Sequence, residues 1–447
     1  MFYNRHVEIA QLRIALERER AQFVVLYGRR RCGKSTLLRR VIDERDAYYL
    51  AIQGDSALQR KLFSQSLDER FPGFSLADFS DWNALFEAVI QRGGERFTIV
   101  LDEFPYLVKA AGSLPSILQR ILEDRTRLNF HLIVCGSSQQ MMEDAVLSAT
   151  APLYGRADEI LKITPLAAGY LADHLPQHSA ADLVREYAVW GGVPRYWELR
   201  KRSDSLMDSV TELLLRPTGL LLDEPRRLLL DDVRSLTQPI SLLTVIAGGA
   251  NRLVEIGGRL QRSSTDLYRP LERLIALGYV VKEQPFAAPH RSNKQTYYRV
   301  GDPFMRFYHR FIIPNVSEIQ RGRSATVSQT ISTQFDQFVG PTWERLCARA
   351  VAAGLVDDAY TDCRRWWGKT TTGRAVELDL VARSTDGRRL LIGECKWTTK
   401  TIGPGVKDRL TALVPELPFY RGETIEIVTM SRTGGDFGPA AVLKALR

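Results

Sequence analysis

The chain of 447 residues holds only five cysteines, and no two fall in a C-x-x-C pair. Cys32, Cys135, Cys347, Cys363 and Cys395 stand apart, which argues against a zinc ribbon or a disulfide framework and suits a reducing compartment. No run of about 18 apolar residues is present to span a bilayer. The first residues lack the charged-then-apolar layout of a secretory leader. The expectation is a cytoplasmic protein with no membrane partner. Low-complexity tracts and repeats of solenoid period are also missing, which excludes a repeat array.

What is present is ordinary globular material in quantity. Hydrophobic residues make up 45% and charged residues 25%, and the length implies about three domains. The net charge is +9, from 61 Lys+Arg against 52 Asp+Glu. That balance favours an acidic partner such as DNA, or else it is a basic surface with no specific partner.

Residues 28–35 read Gly-Arg-Arg-Arg-Cys-Gly-Lys-Ser. This is the G-x-x-x-x-G-K-S/T spacing of a phosphate-binding loop. Gly28 and Gly33 let the backbone curl so that the N–H groups of Arg29, Arg30, Arg31, Cys32, Ser35 and Thr36 gather around phosphate oxygens. Lys34 reaches the β- and γ-phosphates of ATP, and the Ser35 hydroxyl ligates Mg²⁺. The apolar run 23–27 before the loop reads as a buried strand, and 36–42 after it as a helix.

A second apolar run, 97–101, ends in Asp102-Glu103. This is a Walker B pattern: Asp102 holds Mg²⁺, and Glu103 orients and deprotonates the attacking water. A third strand, 131–136, ends at Ser137-Ser138, which either senses the γ-phosphate or caps the helix that follows. Arg156, after Pro152-Leu153-Tyr154-Gly155, either stabilises charge on the transferring phosphate or makes a surface ion pair.

These elements resemble the prokaryotic, archaeal-type AAA+-related ATPases of the signalling (STAND) type. The resemblance extends to the lead-in Phe2-x-x-Arg5-x-x-Glu8-x-x-x-Leu12 and to Gly191-Gly192-Val193-Pro194-Arg195-Tyr196. It implies a doubly wound P-loop NTPase domain over 1–165 and a helical lid over 166–235. In it the Pro194-Arg195 turn either couples lid position to nucleotide state or simply follows the glycines that end a helix.

Residues 236–300 pattern as three helices and a two-stranded hairpin, the layout of a winged helix-turn-helix. Arg262 just before the third helix, Tyr268, Arg269 and Arg273 on it, and Arg291 and Lys294 at the wing tip are the candidate DNA contacts. The alternative is a module that only packs and transmits motion. The resemblance makes 301–332 a helical connector.

The last segment, 333–447, carries a second chemical pattern. Val376-Glu377-Leu378-Asp379 and Gly393-Glu394-Cys395-Lys396 read as strands, and Glu344 sits on a helix upstream. The order resembles the restriction-endonuclease-like, PD-(D/E)xK α/β fold. In that arrangement Asp379 and Glu394 share a Mg²⁺, Glu344 completes the metal shell, with Glu377 able to substitute for Asp379, and Lys396 steadies the nucleophile. Solvated charge on an amphipathic hairpin is the plain alternative.

The whole chain therefore reads as an α/β multidomain protein, an ATP-hydrolysing switch that regulates a DNA-binding or DNA-cleaving domain. A signalling ATPase that binds DNA or a protein partner without cutting is the second reading. A homo-oligomer stays open, with Arg156 as the candidate contact.

Overall fold

The computed structural model describes residues 3–200, 204–233, 235–288 and 295–447. Phe2 of the lead-in and the expected wing-tip contacts Arg291 and Lys294 lie outside the described residues. The chain divides into two compact units, Met1–Pro165 and Leu166–Arg447.

The first unit is built on five parallel strands: β1 (Phe23–Tyr27), β2 (Ala47–Leu50), β3 (Phe97–Asp102), β4 (Phe130–Gly136) and β5 (Glu159–Lys162). Their spatial order is β2-β3-β4-β1-β5. The three central strands are apolar on both faces, as a sheet covered on both sides requires. Phe23, Val25, Ile99, Leu101, Leu132 and Val134 turn to one face, packed with Phe104, Leu107 and Leu118. Val24, Leu26, Val100, Ile133 and Cys135 alternate to the other, against Leu12, Ala15, Leu37 and Leu38.

The helix after the phosphate loop is shorter than its apolar pattern suggests, running Lys34–Leu38 rather than through Ile42. Beyond it the bonds tighten to turn spacing, Arg40 N to Leu37 O at 3.0 Å and Val41 N to Leu38 O at 2.9 Å.

Past the short helix Leu171–His174, the second unit continues with helices Ala180–Trp190, Pro194–Leu199, Leu206–Leu214 and Glu224–Asp232. Gly191, at φ 61°, ends helix Ala180–Trp190. Gly192 has no room for a side chain, because a Cβ would stand 1.9 Å from Leu166 O. At the centre of this helical region a buried ion pair joins Arg200 to Glu186 at 2.6 Å. Trp190 Nε1 donates to the same carboxylate at 2.9 Å.

Helices Thr237–Ala247, Leu253–Leu260 and Ser264–Ala276 follow, then an antiparallel hairpin of β6 (Val280–Glu283) and β7 (Tyr297–Val300). Leu242, Leu243, Ile246, Ile256, Leu267, Leu271, Leu274, Val280 and Tyr298 form one shared core.

A 29-residue helix, Ser324–Ala352, leads into the last sheet. The expected boundary between 332 and 333 therefore falls inside a continuous helix. Strands β8 (Arg364–Lys369), β9 (Ala375–Arg383), β10 (Arg389–Lys396) and β11 (Thr424–Ser431) lie in the order β11-β10-β9-β8. The first two pairings in sequence are antiparallel and β10–β11 is parallel, crossed over by helix Gly405–Leu413. The element order is helix–strand–strand–strand–helix–strand.

Candidate functional site

The nucleotide site forms where β1, β3 and β4 end side by side. Gly28 leaves β1 at φ 147°, and a Cβ there would sit 2.2 Å from Ile163 O. Only glycine permits this approach of loop to strand end. Gly33, at φ 86°, turns the chain into the short helix. Lys34 is buried, its Nζ donating to Gly28 O (2.8 Å) and Arg29 O (3.1 Å). Its ammonium is thus held inside the loop, on the loop's own carbonyls.

Ser35 Oγ donates to Asp102 Oδ2 at 2.6 Å. Asp102 Oδ1 accepts the N–H of Glu103 at 2.9 Å. Tyr48, on edge strand β2, also donates its hydroxyl to Asp102. Burial and the Asp102 charge raise the Tyr48 phenol pKa, so it stays a donor. Glu103 adopts a left-handed conformation, φ 52°, at the head of helix Phe104–Ala110. Its carboxylate accepts from Ser137 Oγ at 2.9 Å.

The two serines therefore divide their work. Ser138 caps its helix through Met141 N (3.4 Å), while Ser137 reaches Glu103. Arg30 donates to Tyr106 Oη at 2.9 Å. Arg5 of the lead-in is buried and braces the loop from behind, donating to Cys32 O (3.2 Å) and Thr164 O (2.5 Å). Arg156 ion-pairs with Glu123 at 3.4 Å. Two hard oxygens from Ser35 and Asp102, beside a lysine and an inward-curled backbone, fit Mg²⁺ with a phosphate chain.

The C-terminal acids have found other partners. Asp379 accepts the N–H of Cys395 at 2.8 Å. Burial raises the Asp379 carboxyl pKa against that bond. Glu394 sits between Lys396 Nζ (2.8 Å) and Arg409 (3.2 Å). It shares strand parity with Leu390 and Ile392, so it emerges on the face covered by helix Gly405–Leu413, which supplies Arg409. Glu344 comes from the Ser324–Ala352 helix, where Cys347 meets Cys395 of the opposite parity. Burial, then the nearby Asp379 charge, pushes Glu344 up to about 7.

Arg365 of β8 lies 3.8 Å from Glu344 and 3.9 Å from Glu283 and also pairs with Glu377. The shell expected of Glu344, Asp379 and Glu394 is accordingly not drawn together in this conformation. Among the described residues no three His, Cys, Asp or Glu side chains are grouped to hold an ion. The physical reason is that Glu344 and Glu394 reach the sheet from opposite faces, and each has a cation at hand.

Of the expected DNA contacts, Arg262, Tyr268, Arg269 and Arg273 are all exposed, while Leu267, Leu271 and Leu274 turn inward. Sequence reasoning missed Tyr48, Arg365 and Arg409. None lies in a motif, and only the fold brings them to the acids they serve.

Residues 2–199 match a family described as an ATPase domain predominantly from Archaea. Residues 308–405 match a family of archaeal and bacterial proteins of unknown function. A protein of Methanocaldococcus jannaschii, uncharacterized protein MJECL04, is 30% identical over 403 residues, covering 89% of this chain and 88% of that protein. Among solved structures, the Walker-type ATPase of Pyrococcus abyssi aligns over 69% of this chain and 96% of its own, with a TM-score of 0.53 and 19% identity. The ORC2 protein of Aeropyrum pernix aligns over 72% and 95%, with a TM-score of 0.47 and 15% identity. No helix among the described residues is long and apolar enough to cross a membrane. The chain is an ATP-hydrolysing enzyme of the P-loop type and belongs to the family of the Methanocaldococcus jannaschii protein.

Proposed function

We propose that this ATPase is a cytoplasmic switch whose nucleotide state governs a DNA-handling second unit. The observation that carries the reading is the element order helix–strand–strand–strand–helix–strand, with Glu344 on its first helix and Asp379, Glu394 and Lys396 on its central strands. That order supports a restriction-endonuclease-like domain. The three helices and hairpin before it support a winged helix, whose exposed Arg262, Tyr268, Arg269 and Arg273 offer phosphate and base contacts.

At the nucleotide site, Lys34 and the loop N–H groups from Arg29 to Thr36 bind the phosphates of ATP. Ser35 and Asp102 would hold Mg²⁺, which neutralises charge on the β- and γ-oxygens when bound. Glu103, fixed by Ser137, accepts a proton from water as the water oxygen bonds to the γ-phosphorus. The bond to the β–γ bridging oxygen breaks, and ADP leaves with that electron pair. Arg156, at the surface, serves a neighbouring copy in a homo-oligomer.

In the second unit, Asp379, Glu394 and Glu344 would hold Mg²⁺ only after Glu394 is freed from Lys396 and Arg409 and Glu344 from Arg365. ATP-driven rearrangement is the natural trigger. A second reading is favoured by those same ion pairs: the acids are permanently neutralised, and the domain binds DNA or a protein partner without cutting.

Incubating the protein and its Asp379→Ala variant with plasmid and linear DNA, with and without ATP, in Mg²⁺ or Mn²⁺, separates the two. Cutting that vanishes in the variant supports the regulated nuclease. Intact ATP turnover with no cutting under any condition supports the second reading.

A further inference from the structure

A basic cleft of about 630 Å³ lies in the second unit between the β6–β7 hairpin and the Ser324–Ala352 helix. Lys282, Arg299, Arg345, Arg349, Arg364 and Arg365 line it, against Glu283, Glu344 and Asp362. Those three acids are already committed. Asp362 holds Arg364 at 2.8 Å, Glu283 holds Arg299, and Arg365 lies between Glu283 and Glu344.

Arg345 and Arg349 are left over. They stand four residues apart on one helix, hence on one face. Among the described residues neither has a carboxylate partner. Arg345 donates only to neutral oxygens, Pro341 O (3.1 Å) and Thr342 Oγ1 (3.3 Å). The same Thr342 hydroxyl also accepts from Arg306 at 2.8 Å. The Arg306 guanidinium lies 4.0 Å from the centre of the Phe338 ring and donates to Phe338 O at 2.6 Å.

Two guanidinium groups thus converge on one hydroxyl, with no anion between them. Burial and the neighbouring Arg299 charge depress Arg306 to about 9. Crowded like charges on neutral acceptors destabilise the empty arrangement, and a multivalent anion would reverse that effect. Guanidinium forks match phosphate oxygens two at a time. The volume falls within the range of about 300–1,000 Å³ typical of small-molecule sites.

We propose that this cleft binds a phosphate-bearing small molecule, with Arg345 and Arg349 as its principal contacts. It is separate from the phosphate loop and stands whether or not the second unit handles DNA.

The test uses the full-length Lys34→Ala variant, so that the phosphate loop does not compete, and calorimetric titration with inorganic pyrophosphate. One saturable site is expected, weakened about tenfold or more by adding Arg349→Ala or Arg345→Ala. Arg349 is exposed, so its variant keeps the test sound if Arg345→Ala does not fold, and Arg345→Lys should restore part of the affinity. No saturable binding, or binding indifferent to both arginines, overturns the proposal. So does a short DNA duplex that binds through Arg345 and Arg349 where pyrophosphate does not, which would reassign the cleft to nucleic acid.

Discussion

Ser35 Oγ and Asp102 Oδ2 lie 2.6 Å apart although 67 residues separate them in sequence. Ser35 stands on the helix that follows β1 and Asp102 ends β3, and those two strands are not neighbours, since β4 runs between. The tip of β4 therefore sits beneath the point where the two chemistries meet. That is why its Ser137, and not a residue of either motif, holds Glu103.

Replacing Glu103 by Gln should leave nucleotide binding intact and lower turnover about 100-fold or more, the usual contribution of a positioned base. Ser137→Ala keeps the base but frees it, so a smaller loss, about tenfold, is expected. Phosphate release beside fluorescent-nucleotide binding reads both. Equal losses in the two variants would mean that Ser137 does more than position.

Gly28→Ala and Gly33→Ala should differ. At Gly28 a methyl group meets Ile163 O at 2.2 Å, so loop or strand must shift. At Gly33 nothing lies within 4 Å, and only the φ of 86° is strained. About 2–4 kcal/mol is expected for the first and about 1–2 for the second. Thermal melting with and without ATP measures both, and a reversed order would contradict the assigned packing.

The Arg200–Glu186 pair predicts a large single-site effect. Both partners are almost fully buried, at 1% and 2% side-chain exposure. Glu186→Ala removes the carboxylate that Arg200 and Trp190 share and should cost about 3–5 kcal/mol. Replacing both residues with apolar side chains should cost less. Urea denaturation of the two variants decides it.

Two histidines make stability fall with acid. Burial depresses His309 to about 3. Burial, then the Arg96 charge, depresses His131 to about 4. Each is neutral in the fold, and the unfolded chain takes up a proton near pH 6.5. Stability is thus full above about 6.5 and is lost as pH falls toward those values. The loss is at most about 5 kcal/mol for His309 and about 3 for His131. His309→Gln cannot titrate, so its deficit relative to wild type should narrow between pH 7 and 4.5. A constant deficit in urea unfolding would show that His309 is not the titrating group.

The phosphate loop was legible because its geometry is local: Gly28, Gly33, Lys34 and Ser35 do their work within eight residues. Asp102 and Glu103 were legible because an apolar strand ending in two acids follows a phosphate loop, which turns a common pattern into a specific one. Tyr48 was not, since a tyrosine on a half-exposed strand has no pattern that points to an aspartate 54 residues on. The acids Asp379, Glu394 and Glu344 could be found from spacing, yet their cation partners could not. Arg365 and Arg409 are ordinary surface arginines in sequence, and only the sheet faces decide which carboxylate each meets. The continuity of the Ser324–Ala352 helix through residue 333 was not legible.

The Ser324–Ala352 helix has one more consequence. Twenty residues separate its first position from Glu344, about 30 Å of rod at 1.5 Å per residue. Its near end is tied to the preceding helices through Ser324 Oγ, which donates to Leu215 O. A tilt of about 5° there sweeps Glu344 through roughly 2.6 Å, enough to break or make a metal bond. In the proposed switch the helix would be a lever arm, converting an angle too small to notice at one end into a change of chemistry at the other.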